Sequence, residues 1–213
     1  MLEKTITNLA PAPSPGAAVR PLILASTSRY RRALLQRLGL PFNAVAPGVD
    51  ETALPGERPS ATALRLAEAK ARSVAAAHAD ALIIGSDQVA DCEGQPIGKP
   101  GDHEAAVAML TALAGKTVVF HTGLALLDAK SGCCATATVD VRSTFRRLSA
   151  AEIGRYLVRE QPYDCAGAVK SEGLGIALFE SIASDDPTAL IGLPLIRLVS
   201  MLREAGVSVL APT

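Results

Sequence analysis

The sequence predicts one α/β domain, with a mixed twisted sheet that is flanked by helices and carries a long β-hairpin. The chain has 213 residues, of which 49% are hydrophobic, which is enough to build one buried core. Short apolar runs alternate with segments of helical spacing, and two β-branched segments flank a polar turn. Because a hairpin interrupts the strand–helix alternation, we expect a mixed sheet and not a purely parallel one.

Residues 1–20 stand apart from this domain. They contain three prolines and no continuous apolar core of the kind that a secretory signal needs. We therefore expect a flexible tail over 1–20 and a single catalytic domain over 21–213.

The first half of the domain alternates strands and helices. The apolar run at 21–25 predicts a strand, and Ser28 is placed to cap a helix over 29–38. The next predicted elements are a strand, a Pro/Gly-rich loop and an Ala-rich helix, at 42–45, 47–59 and 60–79. A fully apolar strand at 81–86 follows, and we expect it to end at Asp87.

Capping residues mark the helices of the second half. Asp102 is placed to cap a helix that ends near Ala114, and Ser149 and Glu152 have the spacing of a capping box. The remaining predicted elements are the two hairpin arms, an irregular Gly-rich segment and a last amphipathic helix, at 116–127, 133–147, 164–179 and 196–204.

Composition narrows the class of function. The chain has 21 basic and 21 acidic residues, so we expect no broad basic surface that would bind a nucleic acid polymer. The expected charged partner is therefore a small molecule. No apolar run approaches the roughly 18 residues that a membrane span needs. The four cysteines and three histidines show no metal-binding spacing, and a reducing cytoplasm is the expected compartment.

The segment STSRYRR places three arginines in the first turn of a helix, where the positive end of the helix dipole disfavours cations. A bound phosphate resolves this conflict, because an anion cradle can form from free backbone N–H groups, the hydroxyls of Ser26 and Ser28, and the guanidinium groups of Arg29, Arg31 and Arg32. The alternative is a solvated basic face whose arginines point away from any ligand.

Four more charged residues are candidates for a site. Lys70 lies within the apolar stripe of the Ala-rich helix, so it either reaches the rim or has an anionic partner. Asp87 follows a buried strand, and there it can hold a divalent metal, accept a proton from an attacking water, or merely form a turn. Asp50 or Glu51, on the Pro/Gly-rich loop, can supply a second carboxylate. Lys99 suits a phosphate oxygen, although a lone loop lysine is more often plain surface.

Five motifs, in order, resemble the Maf family of nucleoside triphosphate pyrophosphatases over residues 22–206. They are LILASTSRYRRALLQRLGL, VDE at 49–51, ALRLAEAKA around Lys70, IIGSDQV around Asp87, and GKP at 98–100. The chain departs from the opening motif at Arg29, where the family commonly has proline.

The resemblance implies a Maf/inosine triphosphatase-like architecture and hydrolysis of a nucleotide between its α and β phosphates. It also implies a divalent metal cofactor (Mg²⁺, Mn²⁺ or Co²⁺) and suggests a homodimer. It makes Asp87 both the proton acceptor and, with Glu51, a metal ligand. The side chains that it places around the triphosphate are Ser26, Arg31, Arg32, Lys70 and Lys99.

Within the family, the chain is most similar to the branch that acts on 7-methyl-GTP and removes modified nucleotides from the pool. The marks are Tyr30, the Gln88 of SDQ, and the run at 165–180 that contains Glu172. A methylated guanine is a cation that an aromatic ring attracts, a glutamate can accept from its N1–H and exocyclic amine, and Gln88 can add an orienting hydrogen bond. Taken singly, the three can equally be an exposed tyrosine, a structural amide and a loop glutamate.

Two other functions stay open on the sequence. One is the sister activity on dTTP and UTP. The other is a non-catalytic, nucleotide-binding regulator of cell division that uses the same cradle.

Overall fold

The computed structural model describes residues 20–210 and forms a seven-stranded mixed sheet with helices on both faces. Apart from Arg20, the predicted tail lies outside the described residues. The strands are β1 (Leu22–Ala25), β2 (Asn43–Val45), β3 (Leu82–Cys92), β4 (Gln95–Ile97), β5 (Thr117–Asp128), β6 (Cys134–Phe145) and β7 (Phe179–Ala183). The helices are α1 (Arg29–Gln36), α2 (Pro59–Ser73), α3 (His103–Leu113), α4 (Ala150–Glu160) and α5 (Leu195–Glu204).

The sheet order is β2-β1-β3-β5-β6-β7, and β4 pairs with β3 away from this path. Strand β1 is parallel to β2 and β3, whereas every other pairing is antiparallel. The mixed sheet and its long β5–β6 hairpin confirm the predicted fold class. The edge strand β7 was not predicted, since its residues follow directly on the Gly-rich segment.

The helix starts follow the predicted caps. Ser28 accepts a hydrogen bond from the Arg31 backbone N–H, and Asp102 accepts one from Ala105. Ser149 and Glu152 form both bonds of a capping box. These caps satisfy backbone donors that a helix start otherwise leaves open, and they were readable because they depend on residues three apart.

Helix α2 is shorter than predicted. It ends at Ser73, and a single 3-10 turn at Ala75–Ala77 follows. The Ser73 hydroxyl donates to the carbonyl of Lys70 at 2.9 Å, so it competes with the backbone N–H that would continue the helix.

Strand β3 is longer than predicted, and this is the main correction to the fold. It continues through Asp87 to Cys92, so Asp87 lies inside the strand and not at its end. The reason is the antiparallel neighbour: β5 pairs with β3 up to Asp91, whereas the parallel neighbour β1 pairs only as far as Ile84. Asp87 therefore lies just beyond the end of β1, with one edge of β3 open beside it.

One face of the sheet carries two apolar cores with polar groups between them. Ile84 belongs to the core under α1 and α5, and Ala90 to the core under α3 and α4. Ser86 and Gln88 point to the same face between these two residues because side chains alternate along a strand. Ser86 donates to the carbonyl of Gly192, the residue after the short 3-10 turn Ala189–Ile191. Gln88 donates to two carbonyls of the turn itself.

The opposite face packs closely against α2 because two strand residues are glycines. A Cβ added to Gly85 would lie 2.0 Å from the carbonyl oxygen of Ala67, and one added to Gly123 would lie 2.2 Å from that of Ala63. The helix backbone thus rests almost directly on the sheet, which brings Lys70 of α2 over β3.

We expect Gly85→Ala to lower the free energy of unfolding by about 1–3 kcal/mol, because the new methyl group must push α2 away from the sheet. Urea denaturation measures this change. Gly154→Ala is the matched control: Gly154 lies within α4, an added Cβ there meets nothing within 4 Å, and alanine favours helix. A Gly85 variant as stable as the wild type would contradict the close packing.

His121 gives the fold a pH-dependent contribution. Its Nδ1 lies 2.7 Å from Asp140 Oδ1, and its Nε2 lies 3.4 Å from Asp91 Oδ2. Burial lowers the pKa of His121, but hydrogen bonding and the charges of Asp140 and Asp91 outweigh it, so the pKa is raised. A raised folded pKa means that protonation favours the folded state.

We therefore expect the stabilising contribution of His121 to be complete below about pH 6.5, the pKa of an unperturbed histidine, and to disappear as the pH rises through the folded value. The check is urea unfolding of the wild type and His121→Asn across pH 5.5–9. The stability difference between them should shrink with rising pH. A difference that grows with pH would contradict the assignment.

Within residues 20–210, no helix is both long enough and apolar enough to span a membrane.

Candidate active site

A cavity of about 780 Å³ opens along the free edge of β3, between the end of β1 and the start of β4 pairing. Its wall is built by the turn and first residues of α1, the loop at 47–53, α2, the residues after β4, and the Gly-rich segment after α4. The cavity brings together eight of the nine other residues predicted to form the site with Asp87: Ser26, Tyr30, Arg31, Glu51, Lys70, Gln88, Lys99 and Glu172.

The turn between β1 and α1 lines the cavity. Ser26 is buried, and its hydroxyl accepts from the Ser28 backbone N–H at 3.1 Å. The N-terminus of α1 faces the cavity, and its first turn contains no acidic residue. Exposed N–H groups and a positive helix end therefore meet arginine side chains at one place, which is the arrangement that binds phosphate.

Arg31 is fixed by the chain on the other side of the cavity. Its Nε donates to the carbonyl oxygen of Gly192 at 2.8 Å. Burial lowers the pKa of Arg31, and the charges of Asp87 and Glu51 oppose that shift. A guanidinium that starts above pH 12 still carries its charge at neutral pH, so Arg31 presents a fixed cation to the cavity.

Arg32 is the one predicted site residue that does not line the cavity. This side chain is exposed and lines a separate depression with Gln36 and Phe42, beside β2. Successive helical residues are rotated by about 100°, so Arg31 and Arg32 face different directions. Arg32 is therefore not placed to bind the same ligand as Arg31.

Lys70 joins the two carboxylates of the site. Its Nζ lies 2.6 Å from Asp87 Oδ1 and 2.5 Å from Glu51 Oε1. The side chains of Lys70 and Asp87 are only 5% and 9% exposed, whereas Glu51 is 57% exposed. Lys70 thus has the anionic partner that its place on an apolar stripe required. Asp87 Oδ2 makes no hydrogen bond with any described residue and is free for a ligand.

Glu51 is held ionised by its surroundings. Burial raises the pKa of its carboxyl group, but the hydrogen bond and charge of Lys70, with the charges of Lys99 and Arg31, outweigh this and lower it. Lys99 is exposed in the segment after β4, where Gly98 and Lys99 line the cavity. The cations Arg31, Lys70 and Lys99 therefore lie near the two carboxylates of Glu51 and Asp87. This part of the cavity keeps a net positive charge for an anionic ligand.

The two carboxylates fit a divalent metal that substrate phosphates help to bind. Among residues 20–210, no group of three or more His, Cys, Asp or Glu side chains could hold an ion by itself. Glu51 and Asp87 nevertheless converge on one ammonium group. Hard cations such as Mg²⁺ are commonly bound by one or two carboxylates, with waters and substrate phosphates completing the coordination.

Tyr30 and the Gly-rich segment line a second part of the cavity, which we call the Tyr30 end. Asp164, Cys165 and Glu172 line it, and the first two were not predicted as site residues. Burial, followed by the charge of Asp164, raises the pKa of the Cys165 thiol to about 12, so it stays protonated. No nucleophilic role is expected for it.

Helix α4 holds this segment in place. The Tyr156 hydroxyl donates to the carbonyl of Ala168 and accepts from the Lys170 backbone N–H. Glu160 forms an ion pair with the Lys170 side chain and accepts from the Leu174 backbone N–H at 2.7 Å. Glu172 lies between these two anchors, so it occupies a fixed stretch of chain although its own side chain is exposed.

Gln88 is oriented by the turn at Ala189–Ile191. Its Nε2 donates to the carbonyls of Ala189 and Leu190 at 2.8 and 3.1 Å, and it lies 3.0 Å from Thr122 Oγ1. Because the amide nitrogen is used in this way, the carbonyl oxygen Oε1 is the group left for a ligand. The sequence contained one signal for this contact: Ser86 and Gln88 are two polar residues on one face of a strand.

Comparison with known proteins identifies the chain's relatives. The family model described as Maf-like protein matches residues 21–205. A 7-methyl-GTP pyrophosphatase from Polaromonas sp. (strain JS666 / ATCC BAA-500) is 60% identical over 192 residues, covering 90% of this chain and 88% of the relative.

Two further relatives carry the same name. The protein from Cupriavidus metallidurans is 58% identical over 185 residues, covering 87% of this chain and 93% of its own length. The protein from Burkholderia orbicola is 55% identical over 204 residues, covering 93% and 97%. With the family model matching nearly the whole described chain, this protein belongs to the Maf-like protein family.

Proposed function

We propose that this protein is a nucleoside triphosphate pyrophosphatase that hydrolyses 7-methyl-GTP to 7-methyl-GMP and pyrophosphate. The observation that carries the proposal is one cavity lined by two different groups of residues. Asp87, Lys70 and Glu51 form a charged network, and Tyr30 and Glu172 line the same cavity. The relatives named as 7-methyl-GTP pyrophosphatases support this choice of nucleotide.

In the proposed reaction, Asp87 accepts the proton of a water that attacks the α-phosphorus. A new P–O bond forms to the water oxygen, the anhydride bond to the β-phosphate breaks, and pyrophosphate leaves. Lys70 occupies Asp87 Oδ1, so Oδ2 is the oxygen that is free to take the proton. The lysine also gives the buried carboxylate a counter-charge at 2.6 Å.

The charge that develops on the leaving pyrophosphate needs cations in fixed positions. Arg31, Lys99 and the N-terminus of α1 line the cavity and supply them. A divalent cation held by Glu51 and Asp87 would add charge neutralisation at the phosphate oxygens.

Recognition of the base is proposed for Tyr30, Glu172 and Gln88. A methylated guanine carries a delocalised positive charge that stacks favourably on the Tyr30 ring. Glu172 can accept from the N1–H and the exocyclic amine, and Gln88 Oε1 is a further acceptor.

The test is pyrophosphate release by the purified protein with Mg²⁺, Mn²⁺ or Co²⁺, across 7-methyl-GTP, GTP, dTTP and UTP. We expect the highest kcat/KM for 7-methyl-GTP. Faster turnover of dTTP and UTP would identify these nucleotides as the preferred substrates. It would also contradict the proposed contacts between the protein and a methylated guanine. Tight nucleotide binding with no release from any of them would favour a binding protein without catalysis.

Tyr30→Ala should lower the preference for 7-methyl-GTP over GTP by about two- to fivefold, because the lost stacking favours a cationic base by roughly 0.5–1 kcal/mol. The ratio of the two kcat/KM values measures it. Tyr163→Ala is the control, since the Tyr163 ring packs against His103 and does not line the cavity. An unchanged ratio in Tyr30→Ala would remove the stacking role.

A further inference from the structure

Arg29 is a cation in the cavity for which the proposed reaction has no use. Its guanidinium carbon lies 4.8 Å from the centroid of the Tyr30 ring, and its Nη2 donates to the Tyr30 hydroxyl at 2.7 Å. Within residues 20–210, Tyr30 is its only side-chain hydrogen-bond partner. Arg29 is otherwise exposed and is the first residue of α1, where the helix dipole disfavours a positive charge. Tyr30 is therefore the group that holds Arg29 at this end of the cavity.

The surroundings of the ring favour a cation. Asp164 and Glu172 line the same end of the cavity and make no hydrogen bond or ion pair with Arg29. A positively charged base entering this end would approach the same ring and the same carboxylates. Arg29 and such a base are consequently competitors for one environment.

The direction of this competition does not depend on which face of the ring the base takes. If the base stacks on the face near Arg29, either base displaces the guanidinium, but the displaced charge stays on the neighbouring residue and repels only a charged base. If it stacks on the opposite face, a second positive charge stays close to the ring and repels it. A neutral base is not repelled by the Arg29 charge, and it can also stack against the planar guanidinium.

We propose that Arg29 is a specificity-determining residue that lowers the discrimination between positively charged and neutral guanine bases. The inference rests on the proposed function, because it takes the Tyr30 end of the cavity as the base site. Its consequence is that the chain accepts GTP more readily than the same cavity would without the Arg29 charge.

The experiment compares Arg29→Met, which removes the charge from a long unbranched side chain, with Arg29→Lys, which keeps the charge. Arg32→Met is the matched control, since this neighbouring arginine of α1 lies outside the cavity. Calorimetry measures the dissociation constants of 7-methyl-GMP and GMP for each protein, and the kcat/KM ratio of the two triphosphates is the second readout.

Arg29→Met should raise the preference for the methylated base by about two- to fivefold, the range expected for one exposed cation–π contact. Arg29→Lys and Arg32→Met should keep the wild-type ratio. An unchanged or lower ratio in Arg29→Met would overturn the inference. An equal rise in Arg29→Lys would also overturn it, because the effect would then come from shape and not from charge.

Failure of the proposed function gives a different result. If no variant or wild-type protein releases pyrophosphate from 7-methyl-GTP, the catalytic proposal fails. The affinity ratio of the two monophosphates still reports on Arg29, because binding needs no turnover. A wild type that hydrolyses 7-methyl-GTP, together with an Arg29→Met variant of unchanged ratio, would overturn the role of Arg29 alone.

Discussion

Asp87→Asn is expected to lower kcat for pyrophosphate release by roughly 100- to 10,000-fold, the range for loss of a general base. Nucleotide affinity should change little. Asparagine keeps the size of the side chain and can still accept a hydrogen bond from Lys70, but its amide cannot take a proton from water. The variant therefore separates proton transfer from the binding of the triphosphate.

The control is Asp91→Asn, a second aspartate on the same strand and the same face of β3. Asp91 contacts His121 and does not line the cavity, so kcat should stay at the wild-type value. Steady-state kinetics and calorimetric nucleotide binding are both needed. Full activity of Asp87→Asn would exclude Asp87 as the proton acceptor. Equal loss in both variants would show that a carboxylate on this face of β3 matters for folding and not for chemistry.

Local signals gave the parts of the site that depend on residues close in sequence. Ser28 was readable as the cap of α1, and the conflict between its basic first turn and the helix dipole pointed to an anion site. Lys70 was readable as a cation on an otherwise apolar helical stripe, which left two alternatives: it reaches the rim, or it has an anionic partner. The structure supplies that partner in Asp87, 17 residues away.

What the sequence did not predict depends on pairing between distant strands. Asp87 was expected at a strand end, but β3 continues because β5 pairs with it, and no local pattern shows where a neighbouring strand stops. The turn at Ala189–Ile191, which orients Gln88, lies about 100 residues away. The direction of Arg32 was also not predictable, because a run of charged residues does not show which of them faces the cavity.

Lys70→Met is expected to lower the free energy of unfolding by about 3 kcal/mol, because it leaves a buried carboxylate without its counter-charge. Nearly all of this loss should come from Asp87, since Glu51 is 57% exposed and an exposed ion pair contributes little. Pyrophosphate release should also fall by at least roughly 100-fold, because the Asp87 carboxylate loses the contact that positions it for the attacking water.

The double variant Lys70→Met/Asp87→Asn distinguishes the two effects. A neutral pair of similar volume removes the buried unpaired charge, so most of the lost stability should return while activity stays absent. Arg72→Met is the control on the same helix: its ion pair with Glu68 is exposed, and its loss should cost less than about 0.5 kcal/mol. If Lys70→Met is as stable as the wild type, or the double variant is the least stable of all, the ion pair between Lys70 and Asp87 does not stabilise the fold. The lysine would then serve only as a phosphate ligand.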